Sequence, residues 1–397
     1  MAHGGGGGQM SLTLQKAVNE LDMKVQALAD VMKRQNGLIP GVAPSKSRDH
    51  SEAMLYVNIS KILQTFRPPR LPAEIFYPRL IHFGDQFLEL REYRLASREC
   101  FNRFLAEIHT AKLPDLLSPE DLKSLEIHAR MGAATCDFFI ALDPDPELRK
   151  HATVQEVLAL LRTCRDIGVE MGGSPDLYWL IYNNSVTIMT LCKPLLAHGY
   201  APLAVEFLIF AALSMEAQVP LNTTRYLGWR VRLYTAVCLG YEESKTRDEE
   251  GNERKMTEEA LAFAQRGLEQ VQRLAAVEAL DPVPPPAEVK KLLGLNELEM
   301  RVLVARYTPG GDGGETLEAL TAGSLGSTAL VVQSVLRVLQ DTTRRTIRHQ
   351  PASEEEGGKV ALLEALCEKI QPQLETIKRF VDERDAPPEP PKRLMVS

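Results

Sequence analysis

Most residue types that do protein chemistry occur in this 397-residue chain, but their spacing supports none of the familiar reactions. Six cysteines, Cys100, Cys136, Cys164, Cys192, Cys238 and Cys367, lie tens of residues apart. A zinc ribbon or a redox dithiol needs two of them within a turn, and no CxxC occurs. Each sits in an apolar helical pattern, so reduced thiols packed as small hydrophobes are expected. The eight histidines (His3, His50, His82, His109, His128, His151, His198 and His349) form no HExxH or other ligand spacing. His82, beside Gly84, reads as a helix-pair packing residue. There is no GxxxxGK[ST] loop, no GxGxxG between a strand and a helix, and no GxSxG elbow. Gly310, Gly311, Gly313 and Gly314 surround Asp312 without a preceding strand, which describes a flexible loop rather than a phosphate cradle. Asp85 and Glu89 stand one helical turn apart, as acids do on any charged helix. No catalytic residue, cofactor or metal ligand is expected.

Two stretches are shaped for binding. Leu14, Val18, Leu21, Val25, Leu28 and Met32 alternate spacings of four and three, which sets them on one seam of a helix over 11–36. At about two and a half heptads it is short for a coiled coil, and docking on a partner helix or on the body of the chain are equal readings. Residues 329–349 form an apolar helix with a basic end, Arg337, Arg344, Arg345, Arg348 and His349. That composition suits a calmodulin target, but a basic last turn also complements the helix's own dipole, and the second reading is preferred. A carboxylate-clamping peptide site is disfavoured, since Ile81 and Asp85 stand where Lys and Asn would be needed.

The elements that position these residues read as helices. Hydrophobic residues make up 44% and aromatics only 6%, while Leu and Ala dominate the periodic stretches. The net charge of −7 arises from 46 basic and 53 acidic residues without a concentrated basic footprint, so nucleic acid is not an expected partner. No uncharged run of about 18 apolar residues appears, and no membrane span is expected. MAHGGGGGQM has neither a basic nor an apolar region of a secretory signal.

Residues 1–10 read as a disordered tail, 11–36 as an isolated amphipathic helix and 37–50 as a linker. A helical-hairpin array follows over 51–280, continued by a C-terminal helical part over 281–383 and a disordered proline-rich tail over 384–397. Breaks fall at Pro68-Pro69, Pro114, Pro144 and Pro146, Pro175, Pro220 and Pro282 to Pro286. Ser118-Pro119-Glu120-Asp121 combines an N-cap hydroxyl, a first-turn proline and acids at the positive helix end. Thr153 with Glu156 reads as a capping box, and Asp145-Pro146-Glu147 as a further helix start. Leu203, Phe207, Ala211 and Met215 form one apolar row, with Ala204, Leu208 and Ala212 beside it, the pattern of an inner helix.

One segment carries a repeat signal. Gly84, Phe87, Tyr93, Ala96 and Cys100 have the small, aromatic, aromatic, small and bulky character that a tetratricopeptide repeat places at this spacing. Small residues at 84 and 96 would let two antiparallel helices touch, with Phe87 and Tyr93 filling the space beside the turn. Arg103 replaces the next small residue, so the match is partial. Weaker matches pair the His198-Gly199-Tyr200 turn with Ala204, Leu208 and Ala211, and Leu239-Gly240 with Ala260, Ala264 and Gly267. The charged stretch Glu242 to Lys255 reads as a solvated loop. The fold class is all-α, an array of antiparallel helical hairpins with irregular tetratricopeptide-like repeats.

The stretch Tyr178 to Tyr241 resembles the N-terminal region of the cilia- and flagella-associated protein 54 family. Tyr182-Asn183, Cys192-Lys193-Pro194-Leu195, Ser214-Met215-Glu216, Val219-Pro220-Leu221, Arg225-Tyr226-Leu227 and Trp229-Arg230 carry the likeness. It continues through Leu233-Tyr234 and Ala236-Val237-Cys238, and Leu336-Arg337-Val338-Leu339 to Arg344-Arg345 is similar to a later helix. The resemblance covers roughly residues 75–380. It implies a structural scaffold of the ciliary or flagellar axoneme, in a projection of the central apparatus, needed for cilium assembly and motility. Implied partners are other axonemal proteins, with calmodulin or microtubule-associated subunits among the candidates. The alternative is a cytosolic tetratricopeptide-like adaptor without a ciliary role.

Overall fold

The computed structural model describes residues 11–41, 48–108, 117–172, 177–220, 224–247, 253–280, 284–308, 317–320, 328–329, 331–333, 336 and 354–385. Outside them fall the tail expected at 1–10, residues 386–397 of the tail expected at 384–397, the glycines around Asp312, and the basic cluster Arg337, Arg344, Arg345, Arg348 and His349. The chain divides into two compact units, Met1–Pro220 and Leu221–Ser397.

In the first unit, helix α1 spans Leu12–Gln35, with the Ser11 hydroxyl accepting from the Leu14 N–H at 3.3 Å and Lys33 and Arg34 in its negative last turn. Helix α2 spans Arg48–Phe66 and α3 Ala73–Glu89, so helix begins inside the stretch expected as a linker to residue 50. After a tight turn comes a continuous helix, α4, of three pieces: Tyr93–Leu95, a π-helical turn Ala96–Phe101, and Asn102–Glu107. Then follow α5 (Pro119–Leu142), α6 (His151–Met171), α7 (Tyr178–Ala197) and α8 (Ala201–Gln218). Helix α1 lies against α2, and from α3 onward each helix lies against the next, while α3, α5 and α7 also touch in series, skipping the helix between.

The expected start of α5 is present: Ser118 Oγ accepts the Asp121 N–H at 3.1 Å and Pro119 opens the helix. The next two expected starts are not. Helix α6 begins at His151, so Thr153 lies inside its first turn and Asp145-Pro146-Glu147 lies before it. The Asp145 carboxylate instead accepts the N–H groups of Arg149 and Lys150, each at 2.9 Å. The Lys150 N–H foremost, with the Thr153 hydroxyl assisting, holds its pKa below the usual carboxylate range. These bonds close a loop in which Leu148 takes φ 53°, a left-handed conformation rare for a branched side chain. Complete burial of Leu148, and the Tyr200 hydroxyl donating to its carbonyl at 3.1 Å, hold it there.

Helices α7 and α8 are joined by His198-Gly199-Tyr200, where Gly199 adopts φ 83°. Ala204, Phe207, Leu208, Ala211, Ala212 and Met215 of α8 are buried, but Leu203, expected in the same inner row, is 40% exposed. The reason is angular: positions four apart drift about 40° round the helix, so Leu203 falls outside the stripe that Ala204, Leu208, Ala211 and Met215 bury. By length and composition α8 is apolar enough to cross a bilayer. Its row of small residues packs on α7, where Cys192 Sγ lies 3.8 Å from the Ala204 carbonyl, as in a core helix.

In the second unit, a 3-10 turn Thr224–Tyr226 leads into α9 (Leu227–Glu243), followed by α10 (Thr257–Leu280) and α11 (Ala287–Tyr307). The charged stretch between α9 and α10 is not a plain loop. Strands β1 (Lys245–Arg247) and β2 (Glu253–Lys255) pair antiparallel, Thr246 opposite Arg254, in a helical fold. Across the proline-rich stretch after residue 280, α10 and α11 pack together, with Val271, Leu274, Leu293 and Met300 in one core. The division between units falls at Pro220, inside the stretch 51–280 expected as one helical-hairpin array. Short α12 (Leu317–Leu320) and long α13 (Glu354–Asp385) complete the described chain, with Val302, Leu320, Val331 and Leu366 forming a small cluster. Helix α13 reaches Asp385, two residues into the stretch expected as tail.

Candidate functional site

The five repeat-like residues are divided between α3 (Gly84, Phe87) and α4 (Tyr93, Ala96, Cys100), which pack together. Phe87, Ala96 and Cys100 are fully buried, and Gly84 faces α4 so closely that a Cβ would lie 2.7 Å from the Phe101 ring and 3.1 Å from Cys100 Cβ. Gly132 of α5 approaches the same ring from another helix, where a Cβ would lie 2.5 Å away. Phe101 therefore fills notches in two helices at once. The π turn at 96–101 widens the helix at the point where Cys100 and Phe101 are both buried. Tyr93 stacks on Phe139 of α5, centroids 4.5 Å apart and planes at 12°.

The turn joining α3 to α4 ends α3 with a left-handed residue, Arg91, at φ 64°. The Glu92 N–H reaches back to the Phe87 carbonyl at 2.9 Å, as in a Schellman end. The Glu92 carboxylate then accepts from Asn36 Nδ2 at 2.7 Å and from the Tyr56 hydroxyl at 2.8 Å. Asn36 Nδ2 also donates to the Leu90 carbonyl at 2.8 Å. The Glu92 carboxylate thereby ties the end of α1 to the middle of α2, and Asn36 links both to the end of α3.

That tie bears on the seam of α1, expected as an isolated helix. Val18, Leu21, Val25 and Met32 are buried, with Ala29, in a core shared with Leu63, Phe66 and Phe76; Leu14 and Leu28 are half-buried against it. Burying one such side chain is worth about 1.5–3 kcal/mol, so lifting the helix off would cost several. Of the two readings of this seam, the structure realises docking on the body of the chain.

The surface yields what spacing alone did not. Asp85 on α3, His128 on α5 and Trp179 on α7 form a line across three helices. His128 Nε2 lies 3.0 Å from Asp85 Oδ1, and its ring meets the Trp179 ring edge-on at 6.1 Å. Trp179 and Tyr178 are both partly exposed, and Arg130 of α5 reaches Glu170 of α6 at 2.7 Å. Half-exposed Trp, Tyr and Arg are the residue types that anchor protein interfaces. No motif could have joined positions 85, 128 and 179; only the stacking of α3, α5 and α7 does so. His82, expected in the helix-pair packing, is exposed and meets Gln86 Nε2 at 3.1 Å. Two residues before Gly84, it points about 200° round the helix from the notch.

In chemistry the described residues offer little. Cys100, Cys136, Cys164, Cys192 and Cys238 are buried, and Cys367 is exposed. Burial pushes the thiols of Cys136, Cys164 and Cys238 up to about 12, and those of Cys100 and Cys192 upward as well, which suppresses the nucleophilic thiolate. No cluster of three or more His, Cys, Asp or Glu able to hold a metal occurs among the described residues. In the second unit the main polar constellation joins α9 to α11. Arg306 Nη2 reaches both oxygens of Glu242 at 2.5 and 2.6 Å, and the Tyr307 hydroxyl donates to Glu242 Oε2 at 3.0 Å. It is a brace, with the Arg306 side chain only 4% exposed.

Comparison with known proteins adds the identity of the surrounding sequence. A sequence model of the family described as cilia- and flagella-associated protein 54 matches residues 49–308. A human protein of that name is 27% identical over 296 residues, 71% of this chain and 9% of its own length. The mouse protein is 29% identical over 231 residues, 55% of this chain and 7% of its own. That of Chlamydomonas reinhardtii is 28% identical over 264 residues, 64% of this chain and 8% of its own. This chain thus matches less than a tenth of the length of each of these relatives.

Proposed function

The chain belongs to the cilia- and flagella-associated protein 54 family, and from that premise we propose that it is a structural scaffold of the axoneme, in a projection of the central apparatus, supporting cilium assembly and motility. The observation that carries this reading is the family match across residues 49–308, which takes in both the Gly84–Phe101–Gly132 joint and the Glu242–Arg306 brace. On this reading the hairpins are irregular tetratricopeptide-like repeats, and their output is shape. Packing of that kind supports it. Rigid aromatic filling of backbone notches resists bending, because protein interiors are close-packed and deform little. Partners are other axonemal proteins, met through surfaces such as the Asp85–His128–Trp179 line. Catalysis plays no part in this role.

A tagged copy expressed in ciliated cells tests the proposal. Signal along the axoneme that survives detergent extraction of membrane and matrix is the expected result. Diffuse cytosolic signal in cells with normal cilia would favour the adaptor reading and count against the scaffold.

A further inference from the structure

Beside the docked helix α1 lies an open groove of about 770 Å³, walled by Asp22, Met23, Ala27 and Asp30 on α1 and by Arg79 and Phe83 on α3 among others. Its volume falls within the range of sites that hold small ligands or peptide anchors, about 300–1,000 Å³. The two walls run in the same direction: Asp22 meets Arg79 at 3.4 Å, and Asn36, further along α1, meets Leu90, further along α3. Asp30 and Gln86 therefore share one end of the groove. Between the ends the lining is apolar at Met23, 67% exposed, at Ala27 and at a Phe83 side chain that is otherwise buried, with exposed Gln26 and His82 at the rim.

The ends differ in charge. At one, the Asp22 carboxylate is matched by Arg79. At the other, Asp30 is half-exposed, accepts from Gln26 Nε2 at 2.9 Å and has Lys33 no nearer than 3.9 Å. Gln86 Oε1, lining the same end, is buried and has no hydrogen-bond partner. A buried acceptor left unsatisfied is costly, and turning the Gln86 amide toward a donor arriving in the groove relieves it. An apolar middle followed by a carboxylate and an orphan carbonyl is complementary to an apolar side chain followed by Lys or Arg. Ala27 and Asp30 are separated by about 4.5 Å of helix rise, which sets the spacing required of the occupant.

We propose that this groove docks a basic amphipathic segment of a partner protein, an apolar anchor lying over Met23, Ala27 and Phe83 and a cationic side chain reaching Asp30 and Gln86. The α1 wall precedes residue 49, where the family match begins, so this surface goes beyond the family-based reading and stands apart from it.

Fluorescence anisotropy of a labelled 15-residue Leu/Lys amphipathic peptide, titrated with the purified full chain, tests the proposal. The Leu/Lys peptide is expected to bind at least tenfold more tightly than its Leu/Glu counterpart. Asp30→Lys, and Ala27→Trp filling the groove, should each weaken it at least tenfold. Glu120→Lys makes the same change of net charge on the exposed first turn of α5 and should stay within twofold of wild type. These positions are exposed or half-exposed, and unchanged helical circular dichroism and thermal midpoint confirm that each variant is folded. No binding of the Leu/Lys peptide, equal binding of both peptides, or equal weakening by Asp30→Lys and Glu120→Lys would overturn the proposal. So would concentration-dependent self-association of the wild type that Ala27→Trp abolishes, since a second copy would then be the occupant.

Discussion

In the first unit, two glycines on separate helices, Gly84 and Gly132, face one rigid ring, Phe101. In the second, a single glycine, Gly267 of α10, faces the Met300 sulfur of α11 and the Tyr234 ring of α9. Both joints use a missing Cβ to bring three helices together. They differ in what fills the notch and in what stands beside it. Phe101 has two torsions and is locked by backbone on two sides, while Met300 has three and a thioether that bends to fit. Beside the second joint, the Glu242–Arg306–Tyr307 brace adds a directional polar link. The first joint thus takes its rigidity from shape, and the second from a more adaptable filler with a charged brace beside it.

Removing the ring should break the first joint most severely. Phe101→Ala leaves a cavity between three helices and is expected to cost about 3–5 kcal/mol in chemical denaturation. Next comes the brace. Glu242→Leu strands a guanidinium that is 4% exposed, and because the Glu242 side chain is itself 27% exposed the expected loss is about 2–3 kcal/mol. Adding Arg306→Met to Glu242→Leu should recover most of it, since removing both charges leaves none uncompensated. A double-mutant cycle by denaturant melts checks this.

The same substitution at both notches sharpens the contrast. Gly84→Ala places a Cβ 2.7 Å from a ring that Gly132 keeps from retreating, so overpacking of about 2–3 kcal/mol, less about 1 kcal/mol gained in helix propensity, leaves an expected net loss of about 1–2 kcal/mol. At Gly267→Ala the nearest atom, Met300 Sδ at 2.5 Å, can swing away, and the Tyr234 carbons follow at 3.1 and 3.3 Å. The gain of about 1 kcal/mol in helix propensity then offsets most of the strain, leaving a net loss under about 1 kcal/mol. Equal losses at the two sites would contradict the distinction.

The smallest effect concerns Glu299 of α11, whose carboxyl is pushed up by burial despite the Thr235 hydroxyl at 3.3 Å and Arg232 nearby. A folded-state value above the unfolded one means that ionisation at neutral pH opposes folding. Glu299→Gln should therefore stabilise the second unit by less than about 1 kcal/mol at pH 7. Below the ordinary glutamate value of about 4.3 both side chains are neutral and the difference should vanish.

The residues that were legible in sequence are those bound by local rules. Ser118-Pro119 announced the start of α5 because an N-cap acts within one turn. Gly84, Ala96 and Cys100 were legible because a hairpin repeats its spacing of small and bulky residues. Gly132 was not, because its partner ring lies on a helix that ended before α5 began. The Asn36–Glu92–Tyr56 tie spans 36 to 56 residues of sequence and follows no period. Asp145 misled for a physical reason: Asp-Pro-Glu suits a helix start, but here the carboxylate closes a loop around buried Leu148. The Asp85–His128–Trp179 line and the α1–α3 groove depend on helix stacking, which composition does not encode.

Cryo-electron microscopy of axonemes from ciliated cells with and without this chain tests the scaffold reading most directly. The expected result is that loss of the chain removes a block of stacked helical hairpins from a central-apparatus projection, with the first unit fitting the missing density as a rigid body. A central apparatus unchanged in every projection would contradict it.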